Sequence, residues 1–291
     1  IANEDQHDFG IFLGGVFAFD MMSMSESLPE VSTGENTCPD YVYYLAETLV
    51  IIDHEKRSSE IIGNVFSGPE QQKCYFEISR RLSEIKNVMA EFSSENQSIA
   101  NAPSTNHKPA LSVDVSDEAY CQTVEQLKEH IKAGDIFQVV PSRTFSLPCR
   151  DSYAAYSALK RSNPSPYMFY LLDRDFCIFG ASPESALKFQ HTNRQVEVYP
   201  IAGTRPRGFK SNGEFSPDLD SRLELDLRQD QKELAEHIML VDLARNDIAR
   251  VSKAGTRHVA DLLKVDRYSH VMHLVSRVCG TLDDELDALH A

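Results

Sequence analysis

Two three-residue turns constrain the topology of this chain more than any other feature. Asp173-Arg174-Asp175 separates the apolar runs 168–172 and 176–179, and His191-Thr192-Asn193 separates 186–189 from 196–199. A connection that short can join only antiparallel neighbours, because a parallel pair needs a crossover of a dozen or more residues. Hairpins in succession, with helical segments elsewhere, predict an α+β fold rather than a doubly wound one. No strand is followed by GxGxxG or by a Walker A sequence, so a nucleotide fold has no support.

The remaining segments fit that class. Residues 9–20 are apolar around Gly14-Gly15 and predict a buried strand or hairpin. Residues 41–53 form a second strand region that ends in the turn Asp53-His54-Glu55-Lys56. Helical periodicity runs through 68–92, at Phe76, Ile78, Leu82, Ile85, Val88 and Met89. Residues 93–109 are rich in Ser, Asn and Pro without periodicity, which predicts a flexible connection. Ser116 or Asp117 then starts a helix that Gly134 ends as a C-cap. Residues 136–140 and 144–147 read as strands, 231–249 as a long helix, and 268–278 as a final apolar segment. The organisation is therefore 1–92, a linker at 93–112, and a second domain at 113–291.

Composition excludes some classes of function. The 291 residues carry a formal net charge of −15, the opposite of a nucleic-acid footprint. No run of about 18 apolar residues predicts a membrane span, and no basic n-region followed by an apolar core predicts a signal peptide. The six cysteines show no metal or redox spacing; several sit in apolar runs and read as small core residues, and a reducing cytoplasm is the simplest setting. The chain opens on Ile1 rather than Met, and we read it as part of a longer protein.

Residues 198–208, Val-Tyr-Pro-Ile-Ala-Gly-Thr-Arg-Pro-Arg-Gly, crowd two arginines, two prolines and two glycines at the end of an alternating strand. That composition predicts a rigid turn with exposed N–H groups beside cationic side chains, suited to a small carboxylate. Glu233 and Glu236 lie three apart on one helix face. Their repulsion invites a hard cation such as Mg²⁺, although the commoner occurrence of this spacing is a solvated acidic face. The apolar stretch 238–243 suggests that the helix is buried on most sides. His237 invites zinc, but Glu at 233 leaves HxxEH unmet. Glu184, in Ser182-Pro183-Glu184-Ser185, can be a general acid or part of an ordinary polar turn. Gln138 sits among apolar strand residues and reads as a core amide needing partners. His273 reads as a core histidine or as an acid–base group. The loop of residues 162–169 is stiffened by proline and can be a connector or a pocket wall.

Taken in this order, these motifs resemble the chorismate-utilising enzymes, in the branch of anthranilate synthase component I. The strongest likenesses lie at 137–145, 162–169, 179–184, 199–208, 233–247 and 265–277. The resemblance implies antiparallel sheets forming a sandwich core flanked by helices, incomplete in this chain. It implies that 1–92 belongs to a regulatory, amidotransferase-contacting lobe and 113–291 to the chorismate-binding catalytic domain. Implied chemistry is conversion of chorismate and ammonia to anthranilate and pyruvate, with ammonia delivered from glutamine by an amidotransferase subunit.

By the same resemblance, Glu184 protonates the departing ring hydroxyl and His273 assists elimination of pyruvate. Gly203 and Thr204 contact substrate, Glu236 ligates Mg²⁺, and Glu233 stands behind it through water. The metal would hold the ring carboxylate, which the −15 charge otherwise repels. Pro166, Tyr167 and Met168 correspond to part of a tryptophan feedback site. Gln138 stands where isochorismate-forming relatives place a lysine, and Ala202 where the aminodeoxychorismate branch does. Both favour anthranilate synthesis over those branches, and retention of Glu184, Thr204, Glu236 and His273 together disfavours a non-catalytic binding protein. The family's C-terminal segment, which would add a second metal-binding Glu, a substrate-binding Arg and a glycine-rich loop, has no counterpart here. The isolated chain is therefore expected to be inactive.

Overall fold

The computed structural model describes residues 10–24, 26–29, 38–92 and 110–291. Two units, 1–108 and 109–291, divide the chain. The break falls inside the sequence-defined 93–112 stretch, of which 93–109 lie outside the described residues. Phe9 lies outside them too. Among the described residues, no helix is long and apolar enough to cross a membrane.

In the first unit, β1 (Leu13–Phe17) pairs antiparallel with β2 (Tyr41–Leu45), and β3 (Thr48–Asp53) with β4 (Ser58–Gly63). The second hairpin turns where expected, with Lys56 N donating to Asp53 Oδ1 at 2.8 Å. Helix α1 (Gln71–Glu91) approaches β4 closely because residue 63 is glycine: a Cβ there would meet Ile78 Cγ2 at 2.5 Å. The expected burial of residues 9–20 is not met. β1 alternates between exposed and half-buried positions, and Phe17 is 60 % exposed. A two-stranded ribbon covers at most one face of its strands.

The second unit begins with β5 (Ser112–Val113) and α2 (Asp117–Ala133). Both predicted caps form: Ala119 N donates to Ser116 Oγ at 3.2 Å, and Gly134 takes φ +83°. The strand expected at 136–140 is absent. That segment is irregular, with Phe137 88 % and Val140 81 % exposed, and only β6 (Phe145–Ser146) pairs, with β5. An apolar run becomes a strand only when a neighbour offers ladder partners, and β5 offers two residues. Helix α3 (Ser152–Ser162), capped by Asp151, leads into the β7 (Tyr167–Leu172) and β8 (Cys177–Ser182) hairpin.

The main sheet has the order β11-β13-β10-β9, with β12 on the other side of β13. Its strands are β9 (Lys188–Gln190), β10 (Gln195–Val198), β11 (Ile201–Pro206), β12 (His258–Arg267) and β13 (Val271–Thr281). β13 is long enough to pair with both β11 and β10 along one edge. One face of β13 presents Met272, Leu274, Ser276 and Val278, all buried. Leu227 of α4 (Pro217–Gln229) packs with Met272 and Leu274, and Val241, Ala244 and Ile248 of α5 (Gln231–Val251) pack with Val278. Alternation along the strand turns His273, Val275 and Arg277 to the opposite face.

Three further expectations are corrected here. Residues 201–206 form a strand rather than a turn, because Pro200 and Pro206 bound it while Gly203 supplies a bulge. Helix α5 is buried on one side only, with Ile238 46 % and Leu243 56 % exposed. Only Cys279 of the six cysteines is buried, and Cys121 and Cys149 are exposed.

Candidate active site

The site grows from an irregularity in the β11–β13 ladder. Ala202 pairs with Leu274 and Thr204 with His273, leaving Gly203 bulged between them. Gly203 adopts φ +72°, and a Cβ there would lie 3.1 Å from Leu227 Cδ1 and 3.3 Å from Glu233 Oε2. Only glycine fits both demands. A bulge re-aims the strand's next side chain, and here it sets Thr204 opposite His273.

His273 Nδ1 lies 3.1 Å from Thr204 Oγ1 and 3.1 Å from the Gly203 carbonyl oxygen. A carbonyl can only accept, so this contact assigns the neutral ring's proton to Nδ1 and leaves Nε2 with a lone pair. The Tyr268 ring meets the imidazole edge to face, with centroids 5.4 Å apart. Glu184 sits in the turn after β8, where Ser182 Oγ donates to its carbonyl oxygen and accepts from its N–H. Its side chain keeps one side open to water. The protein walling its other side raises the carboxyl above the usual carboxylate range, and nearby His273 pulls it back. Glu184, the adjacent pair Gly203-Thr204, and His273 are thus brought together from three places in the sequence.

Two cavities flank them. One, of ≈ 190 Å³, is lined by Asn163, Pro164, Pro183, Tyr268, His270 and His273 among others. The second, of ≈ 210 Å³, is lined by Pro166, Tyr167, Pro183, Tyr199, Asp266 and Tyr268 among others. The sequence-predicted effector loop therefore borders the same wall as the acid–base residues. Met168 instead sits half-buried in β7 opposite Ala181 and lines neither cavity.

The arginines do not serve the role expected of them. Arg205 hydrogen-bonds Asp226 at 2.6 Å, Asp230 at 2.8 Å and Glu233 at 3.3 Å, and Asp226 above all holds its pKa up. Arg207 forks onto Asp220 at 2.8 and 3.2 Å and donates to the Tyr268 carbonyl at 2.8 Å. Their charges are spent inside the protein, so neither is a free anion receptor.

Glu233 is shared with Arg205, while Glu236, half-buried one turn later, makes no hydrogen bond or ion pair among the described residues. Among those residues no group of three or more His, Cys, Asp or Glu side chains is arranged to hold a metal ion. One free carboxylate and one shared with an arginine are nonetheless the hard oxygen donors that Mg²⁺ takes along with water, and the donor set fits that ion. His237 is fully buried, with Nε2 2.7 Å from Ser276 Oγ, and burial lowers its pKa. It is a neutral core residue between α5 and β13.

Gln138 departs from expectation. It is exposed on the irregular segment after α2 and makes no hydrogen bond among the described residues, because the strand that would have buried it does not form. Ala202 is buried in β11 beside Gly203. Sequence reasoning missed Tyr268 and Asp220. Tyr268 begins the apolar segment that carries His273, and Asp220 lies four residues after Ser216, which with Pro217 is a helix-start signal that could have placed it.

Comparisons with known proteins show the family of the chain. The family described as chorismate binding enzyme matches residues 2–291. Anthranilate synthase component 1 of Vibrio parahaemolyticus is 55 % identical over 291 residues, 100 % of this chain and 52 % of that protein. The Escherichia coli protein of the same name is 53 % identical over 288 residues, 97 % of this chain and 52 % of its own length. The crystal structure of anthranilate synthase component I from Streptococcus pneumoniae superposes with a TM-score of 0.82 at 28 % identity, covering 99 % of this chain and 61 % of that one. The chain thus spans about half the length of the curated relatives it matches. The family match runs almost the whole length of the chain, and this chain, with the Gly203 bulge and the His273–Thr204 pair on its main sheet and Glu184 in the turn after the β7–β8 hairpin, belongs to the chorismate-binding enzyme family.

Proposed function

We propose that the full-length protein is the aminating component of anthranilate synthase, converting chorismate and ammonia to anthranilate and pyruvate. The observation that carries this reading is the constellation on the open sheet face. A carboxyl with a raised pKa stands near a histidine whose Nδ1 is tied to Gly203 and Thr204. A protonated Glu184 is suited to donate to the departing ring hydroxyl after ammonia adds at C2. The lone pair of His273 Nε2 is suited to take the proton lost as pyruvate is eliminated. Gly203 and Thr204 orient that imidazole and bound the substrate position.

Glu236, with Glu233 behind it, would hold Mg²⁺. When bound, the ion supplies positive charge for the ring carboxylate, and neither Arg205 nor Arg207 has charge to spare for that task. Ammonia comes from glutamine through an amidotransferase subunit, and tryptophan acts at the loop that includes Pro166, Tyr167 and Met168. The nearest alternative is another chorismate branch. The exposed position of Gln138 favours keeping that alternative open, and Ala202 is left as the branch marker inside the strand.

The test is to incubate the full-length protein with chorismate, ammonium and Mg²⁺ and to identify the product by fluorescence and chromatography. Anthranilate supports the reading. Isochorismate or aminodeoxychorismate would retain the family and overturn the roles given to Gln138 and Ala202. Absence of turnover would favour a binding protein.

A further inference from the structure

We infer that Tyr268 is a positioning residue for His273, acting through its aromatic ring rather than its hydroxyl. Among the described residues the imidazole is tethered at Nδ1 alone, to Gly203 O and Thr204 Oγ1. A single tethered nitrogen is a pivot, and the rest of the ring can swing about it. The Tyr268 ring, 5.4 Å away at an interplanar angle of 63°, closes one side of that swing. It also lines both cavities, the first together with His273 and residues 163–165 and the second with Pro166 and Tyr167.

The Tyr268 backbone is held firmly enough to serve. Its N–H donates to Val271 O at 2.8 Å, its carbonyl accepts from Arg207 Nη1 at 2.8 Å, and Arg207 N donates to His270 O at 2.9 Å. Arg207 is in turn fixed by the buried Asp220. His270 Nε2 lies 3.1 Å from Ser162 O and ties the same turn to α3. The Tyr268 hydroxyl makes no hydrogen bond among the described residues. Burial raises its pKa, and the neighbouring Asp266, Glu184 and Tyr167 raise it further, so it remains a neutral phenol.

The experiment compares Tyr268→Phe and Tyr268→Ala in the full-length protein, with Tyr268→Leu as the second variant should the alanine form fail to fold. The kinetic arm rests on the proposed function, and the spectroscopic arm does not. Phe should keep kcat within about twofold, whereas Ala or Leu should lower it roughly tenfold with KM nearly unchanged. Imidazole ¹⁵N spectra should show His273 as the single Nδ1–H form in wild type and Phe, and averaged over both neutral tautomers in Ala or Leu. A Phe variant as impaired as Ala would assign the work to the hydroxyl and overturn the inference. So would an Ala or Leu variant with unchanged spectrum and kcat. Should wild type not turn over chorismate, the functional reading fails and the spectra alone decide this inference.

Discussion

The two sides of β11 carry opposite electrostatics within two consecutive residues. Thr204 faces His273 across an open surface, with polar groups left available beside two cavities. Arg205, its neighbour, turns to the helix side and is enclosed by Asp226, Asp230 and Glu233. Alternation of side chains puts adjacent residues on opposite faces, so one short motif supplies chemistry on one face and cohesion on the other. Arginines crowded in a sequence mark an anion site only if no carboxylate has reached them first.

That division can be broken most sharply at His273. Replacing it with alanine in the full-length protein should lower turnover by roughly 10²–10⁴-fold, the range for a lost acid–base group. Its thermal unfolding midpoint should stay near wild type, since the half-buried ring projects from the face of β13 opposite Met272, Leu274 and Val278, which pack on α4 and α5.

On the cohesive side, Asp220→Asn should cost about 1.5–3 kcal/mol in denaturant unfolding, because a buried charge-assisted fork is lost. Arg207 holds the Asp220 carboxyl below its ordinary value of 3.8. Its stabilisation is therefore fully present above that value and is lost as pH falls through the depressed one. The Asn variant should show a flatter stability profile across that acid window.

Gly203→Ala lies between the two faces and should disturb both. A Cβ at φ +72° costs about 1–2 kcal/mol, and its approach to Glu233 and Leu227 should also reduce turnover. Denaturant midpoint and kcat measured together would expose the coupling. The smallest effect is expected from Thr204→Val, which removes one of two acceptors at Nδ1 while the Gly203 carbonyl remains. A fall in kcat of roughly fivefold follows from about 1 kcal/mol for one hydrogen bond.

Local signals made part of this fold readable. Ser116 and Gly134 bracket α2 because cap chemistry acts within one turn, and the Asp173 and His191 turns fix their hairpins for the same reason. Residues 136–140 misled because strand formation depends on a distant partner that β5 does not supply. β12 carries inward Val259, Asp261, Leu263 and Val265, an alternation diluted by charged neighbours. Glu184, Gly203, Thr204 and His273 were each ambiguous alone, and the register of β11 against β13 is what joins the last three. The fate of Arg205 and Arg207 was not legible, since their partners on α4 and α5 lie 13 to 28 residues away.

The most direct test pairs Glu184→Gln with Asp220→Asn in one full-length background, measuring anthranilate formation and unfolding midpoint for each. Partial burial raises the Glu184 carboxyl, so its ionised form disfavours the fold at neutral pH, and the glutamine variant should be as stable as wild type or slightly more so. The account predicts loss of turnover without loss of stability for Glu184→Gln, and for Asp220→Asn a loss of stability with a smaller fall in turnover, transmitted through Arg207 and the Tyr268 backbone it holds. A Glu184→Gln protein that still makes anthranilate at the wild-type rate would contradict it.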